Sequence, residues 1–206
     1  MKKVGFTLAE ILVTLGIIGV VSAITLPTLM SNTTDAQIGP KLAKAVSAFE
    51  QANEALLNAE SVDSLTDARL LVENNASTYI NRLANHMKIN STGNNTFTSK
   101  DGIGYDIFIN NIVPNNPQAP AYQQPIGTAT IDINGANEPN TPGTDRFNFS
   151  FWNDGSLRPA GGANWDGLNN QLGSWQRDCP IGEVPREDYS MCAGHIFENN
   201  LKVLYK

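Results

Sequence analysis

Lys2-Lys3-Val4-Gly5-Phe6-Thr7-Leu8-Ala9-Glu10, running directly into the apolar residues 11–29, is the stretch on which the reading of the whole chain turns. From residue 6 to residue 29 it is interrupted only by small hydroxylated or glycine positions, one proline and one carboxylate. As a helix it is long enough to cross roughly 30 Å of hydrocarbon, and Lys2 and Lys3 favour a cytoplasmic amino terminus. Glu10 is the anomaly. A carboxylate inside a membrane-length segment is expensive, so such a group usually has a partner. A secretory signal cleaved after Val21-Ser22-Ala23 is the plainer reading, but its apolar region is usually about 7–15 residues and carries no glutamate. An ordinary membrane anchor suits the length and leaves Gly5-Phe6 and Glu10 without a purpose.

In these residues the chain resembles prepilin-type proteins, the family of type IV pilins and type II secretion pseudopilins. The resemblance covers about the first 30 residues. It implies cleavage by a prepilin peptidase between Gly5 and Phe6 and N-methylation of Phe6 by the same enzyme. Glu10 matches the family's glutamate. A Glu10 carboxylate on one subunit is placed to neutralise the new Phe6 ammonium of a neighbour inside a low-dielectric helical bundle. The implied partners are other pilin or pseudopilin subunits, a membrane assembly platform and an assembly ATPase. The implied location is the bacterial cytoplasmic membrane, single-pass with the carboxy-terminal domain outside the cytoplasm, and then a filament in the periplasm or at the cell surface.

Gly16, Gly19 and Pro27 weaken the helix, the glycines by about 1 kcal/mol each and the proline by its missing donor. Two consequences are open: loss of helix between Gly19 and Pro27 on assembly, as in filaments of the family, or a simple proline kink. The resulting division is a leader at 1–5, an apolar helix at 6–29 and an extracytoplasmic globular domain at 30–206. The fold expected is α+β and pilin-like: a long amino-terminal helix packed on a small antiparallel sheet, with a loop-rich carboxy-terminal region.

In the second part of the long helix, Ile38, Leu42, Val46, Phe49, Leu56 and Leu57 recur near helical spacing, an amphipathic stripe that should cover the sheet. Ser31, Asn32, Thr33, Thr34 and Asp35 offer caps, with Pro40 near the helix start. Residues 61–87 predict a second helical region, broken at Asn74-Asn75, and 90–100 a polar loop. Segments 105–109, 128–133 and 146–152 predict strands, 114–125 an irregular connection, 156–187 surface loops and 196–205 a final short strand. Asn134-Gly135 and Asp154-Gly155 mark turns.

With 41% apolar and 17% charged residues and a net charge of −6, the chain has room for one anchor and one soluble domain. No basic run exists, which argues against nucleic-acid binding. No metalloprotease, nucleophile-elbow or phosphate-loop motif occurs, and no enzyme is expected. Glu183, Glu187 and Asp188 beside Arg186 read as a solvated surface.

The two cysteines, Cys179 and Cys192, are expected to pair in an extracytoplasmic domain, and the resemblance to pilins with a carboxy-terminal disulfide loop points the same way. Such a loop contributes roughly 3 kcal/mol in the chain-entropy model. A competing reading joins Cys192, His195, His86 and Cys179 as zinc ligands. The segment 132–145 also resembles a pseudopilin loop signature, and some pseudopilins hold calcium in a carboxy-terminal loop. Asp132, Asn134 and Asp145 are the calcium candidates here, against the simpler view of Asn and Asp as turn formers. Whether the filament is a pilus or a secretion pseudopilus is left open. A reading of a different class is a membrane-anchored domain in which Tyr122, Trp165 and Trp175 bind a ligand such as a carbohydrate.

Overall fold

In the computed structural model the described residues are 7–110, 125–159, 192–198 and 200–201, without the side chains of 25–35, 91 and 198. The chain divides into two compact units, residues 1–37 and 38–206, and one helix, α1 (Leu8–Glu60), belongs to both. It is helical through Gly16, Gly19 and Pro27. The cap candidates at 31–35 lie inside the helix rather than at its start, and so does Pro40. A proline in a helix interior forfeits one backbone bond. Here the packing of Ile38 and Leu42 on either side, both buried, outweighs that loss.

In the second unit Ile38, Leu42, Val46, Phe49, Leu56 and Leu57 are the buried stripe of α1, as their spacing predicts, and Ala45 and Ala52 are buried beside them. They lie among the inward-facing residues of a six-stranded antiparallel sheet in which every strand neighbours its successor in the chain. The strands are β1 (Ile89–Thr92), β2 (Thr96–Ser99), β3 (Gly104–Ile109), β4 (Pro125–Asp132), β5 (Arg146–Trp152) and β6 (Leu157–Pro159). Alternation places Tyr105, Ile107 and Ile109 of β3, Ala129 and Ile131 of β4, and Phe147, Phe149 and Phe151 of β5 in the core. Phe49 is the centre of the packing. Its ring centroid lies 5.7 Å from Tyr105, 6.5 Å from Phe97 and 5.5 Å from Phe151, the last edge to face. The α+β architecture with an amino-terminal helix and an antiparallel sheet is therefore as the sequence predicts.

The polar groups inside this core are paired. Tyr79 in α2 (Ser77–Leu83) donates its hydroxyl to Asn53 Oδ1 at 2.7 Å, and Asn53 Nδ2 donates to the Phe49 carbonyl at 3.0 Å. Burial pushes the Tyr79 phenol well above its ordinary range. Tyr105 donates its hydroxyl to the Ala45 carbonyl, 3.1 Å away on α1. On the surface, Lys44 of α1 and Asp101 of the β2–β3 turn pair at 2.7 Å.

Four segments differ from the sequence reading. Of 61–87 only α2 is α-helical, because Ser61, Arg69 and Asn74 adopt positive φ, which helix cannot accommodate. Leu65 and Leu71, whose spacing suggests a helical stripe, are buried from irregular chain. Asn153 secures this segment: its carbonyl accepts the Leu65 N–H at 2.8 Å and its Oδ1 accepts from Thr66 N at 2.9 Å. The expected loop at 90–100 contains the hairpin β1–β2, built from threonines whose branched β-carbons suit a strand. β6 lies where surface loops were expected. The expected terminal strand is instead opened by a short helix, α3 (Ala193–Glu198).

The chain after α3 returns to α1. Asn200 and Leu201 both have positive φ, and Leu201 donates its N–H to the Ile196 carbonyl at 2.8 Å. The Leu201 carbonyl sits against Gly39, where an added Cβ would fall 1.9 Å from that oxygen. Gly39→Ala is therefore expected to lower stability by about 1–3 kcal/mol through forced displacement, although alanine is the better helix former by about 1 kcal/mol. Thermal denaturation of the variant checks this, and a stabilised Gly39→Ala protein would show the contact to be absent.

Candidate functional site

Thr7 and Glu10 close the amino-terminal end of α1 upon each other. Glu10 Oε2 accepts from the Thr7 backbone N–H and hydroxyl, both at 2.8 Å, and Thr7 Oγ1 accepts the Glu10 N–H at 3.3 Å. This is a reciprocal capping box, Thr-x-x-Glu, in which each side chain satisfies an orphan donor of the other residue. Thr7-Leu8-Ala9-Glu10 carries the capping-box pattern in its sequence, so the carboxylate that stands out by its charge also has a local structural role. Gly5 and Phe6 lie outside the described residues.

Behind the cap, α1 offers apolar side chains on every side. Leu8, Leu12, Val13, Leu15, Ile17, Ile18, Val20 and Ile24 are each at least 60% exposed, which is unusual for residues whose type is normally buried. A helix that is apolar all round buries itself in lipid or in a protein bundle. An added Cβ at Gly16 or Gly19 would meet nothing within 4 Å. Among the described residues no helix is long and apolar enough to cross a membrane.

The second cluster is the oxygen-rich loop between β4 and β5. The structure brings Asp132, Asn134 and Asp145 together. Asp132 Oδ1 accepts the Asn134 N–H at 3.2 Å, and Asn134 Nδ2 donates to Asp145 Oδ2 at 3.0 Å. Asp145 is buried and also accepts the N–H groups of Asn140 at 2.8 Å and Thr141 at 2.6 Å. Both of its oxygens are thus turned toward N–H donors and hold the loop closed, the turn-forming role of such residues. Gly135, with φ of +65°, supplies the left-handed position that the turn requires. Among the described residues no group of three or more His, Cys, Asp or Glu side chains is placed to hold a metal ion.

Burial, reinforced by the charge of Asp145, holds the Asp132 carboxyl above the usual carboxylate range, despite an opposing backbone hydrogen bond and Arg146. A carboxyl raised in the folded state contributes stability that is complete below about pH 3.9, its unfolded value, and is lost as pH rises through the higher folded value. Asp132→Asn removes that titration and keeps an oxygen for the Asn134 N–H. The Tm of the variant minus that of the wild type is therefore expected to grow more positive between about pH 4 and neutrality. A difference that stays flat across this window would show that Asp132 titrates normally.

Cys192, at the start of α3, is disulfide-bonded and fully buried, so it offers no thiolate to zinc and the zinc reading fails. Cys179, its expected partner, lies outside the described residues. His195 is a core residue and His86 is exposed. Tyr122, Trp165, Trp175, Glu183, Arg186, Glu187 and Asp188 fall outside the described residues. No family model, no curated protein and no solved structure matches this chain.

Proposed function

We propose that this chain is a pilin-like structural subunit of a type IV pilus or type II secretion pseudopilus, assembled through the apolar part of α1. The observation that carries the reading is a single helix with two different surfaces. From Leu8 to Ile24 it exposes large apolar side chains on all sides, and from Ile38 onward it buries one stripe in an antiparallel α+β domain. The first surface suits lipid before assembly and neighbouring helices after it; the second anchors the helix in the core of its own domain. In this reading the apolar run 6–29 anchors the subunit in the bacterial cytoplasmic membrane. Prepilin peptidase cleaves after Gly5 and methylates Phe6, and a platform protein and an ATPase drive extraction into the filament.

Intact-mass and amino-terminal analysis of the protein purified from its native membrane tests this directly. The expected chain starts at N-methylated Phe6. A chain starting after Ala23, or still at Met1, removes the reading.

A further inference from the structure

The β4–β5 loop is closed by a side chain from each of its ends, Asn134 near the start and Asp145 at the finish. Asn134 is followed by Gly135, and this is the only Asn-Gly pair in the chain. That pair has a chemistry of its own. The main-chain nitrogen of the second residue attacks the asparagine Cγ, the side-chain nitrogen leaves as ammonia, and a five-membered cyclic imide remains. Water opens the ring at either carbonyl and yields aspartate or isoaspartate, with no oxidant, cofactor or enzyme required. Glycine leaves the attacking nitrogen least shielded, because it has no Cβ.

The loop determines when this step can occur. The leaving nitrogen, Asn134 Nδ2, donates to Asp145 Oδ2 at 3.0 Å and to the Glu138 carbonyl at 3.2 Å. Both partners are acceptors, which fixes the orientation of the amide. The attacking nitrogen, Gly135 N, is turned to the Asp132 carbonyl at 3.3 Å, a long bond for its type. Attack needs both nitrogens released, so its rate follows the population of the open loop. Asn134 Oδ1 favours opening, because it is buried with no hydrogen-bond partner among the described residues and is hydrated only when the loop opens.

The product also changes the closure itself. Aspartate at this position has no donor for Asp145 or for the Glu138 carbonyl, and it sets a second carboxylate beside Asp145, which is buried. Two carboxylates in one site oppose each other's ionisation. Asp145 is in turn the acceptor that holds the N–H groups of Asn140 and Thr141.

We propose that Asn134 is a site of spontaneous deamidation, gated by opening of the β4–β5 loop, and that the product loosens the loop irreversibly. The site is separate from the apolar surface of α1 and does not depend on whether the chain polymerises.

Peptide mapping by mass spectrometry of the full chain, incubated in detergent in mildly alkaline buffer, tests the first half. The peptide holding Asn134 is expected to change from amide to acid ahead of every other peptide, as mixed aspartate and isoaspartate. Asn134→Gln should abolish the change there, since glutamine would have to form a larger ring. The urea-unfolded chain should react about tenfold faster or more than the folded one, and Asp145→Ala should move the folded rate toward the unfolded one. Wild type in sub-denaturing urea tests the gate without a variant: the rate should rise in step with hydrogen exchange of the Asn140 and Thr141 N–H groups. For the second half, Asn134→Asp should exchange those two groups about tenfold faster than wild type. An Asn134 that stays intact while other asparagines react, or that reacts equally fast in the folded and unfolded chain, would overturn the proposal. So would unchanged exchange of Asn140 and Thr141 in Asn134→Asp.

Discussion

Glu10→Ala is expected to leave cleavage after Gly5 intact and to reduce filament yield by on the order of 100-fold or more, because burying an ammonium at Phe6 without its carboxylate partner is strongly unfavourable. The capping box sharpens this experiment, since alanine removes two things at once: the carboxylate charge and the acceptor that holds the Thr7 donors. Glutamine separates them. In a capping box Gln replaces Glu at the third helical position, so Glu10→Gln keeps the cap and discards the charge. If charge neutralisation sets register in the filament, both variants fail to assemble and both are still processed. If Glu10→Gln assembles normally while Glu10→Ala does not, Glu10 acts through its own helix end. Normal filaments from Glu10→Ala would refute the register role altogether. Filament yield by electron microscopy and subunit mass from the membrane fraction are the two readouts.

Phe49→Ala should have the largest effect on the globular unit. Phe49 is fully buried and its ring meets those of Phe97, Tyr105 and Phe151, so one substitution opens a void between α1 and three strands. Large-to-small changes of this kind cost about 3–5 kcal/mol, a fall in Tm of roughly 6–20 °C for a unit of this size. Phe49→Leu keeps most of the volume and should cost under about 1.5 kcal/mol. The contrast between the two, measured by thermal denaturation, separates cavity formation from loss of aromatic geometry. A Phe49→Ala protein that melts within about 2 °C of wild type would mean that the site collapses around the smaller side chain.

What could be read without the structure followed chemical periodicity. The uninterrupted apolar run before residue 30 and the spaced stripe from Ile38 to Leu57 differ because a helix in lipid or a bundle is apolar all round, whereas one packed on its own domain is apolar on one side. Strands β3, β4 and β5 were legible because their inward positions are aromatic or aliphatic and alternate with polar ones. The hairpin β1–β2 was not. Its inward-facing aromatic is Phe97 alone, and the flanking Asn, Ser and Thr residues are also loop residues. Residues 61–76 misled in the opposite direction, since leucines buried by contact with distant strands have no obligation to follow a helical period.

The sequence by itself determined where the chain is apolar all round, where it becomes amphipathic, and that a lone glutamate opens the apolar part, because these are properties of neighbouring residues in one helix. Tertiary structure alone decided the remainder. That Thr7 and Glu10 satisfy each other, that Asp145 is spent on closing a loop, that Leu201 returns to Gly39, and that Gly104, Asp132 and Arg146 fall in one row of the sheet all depend on register and close approach. Such contacts join residues that are unrelated in sequence spacing, and they are selected by the packing of the whole sheet rather than by any local preference.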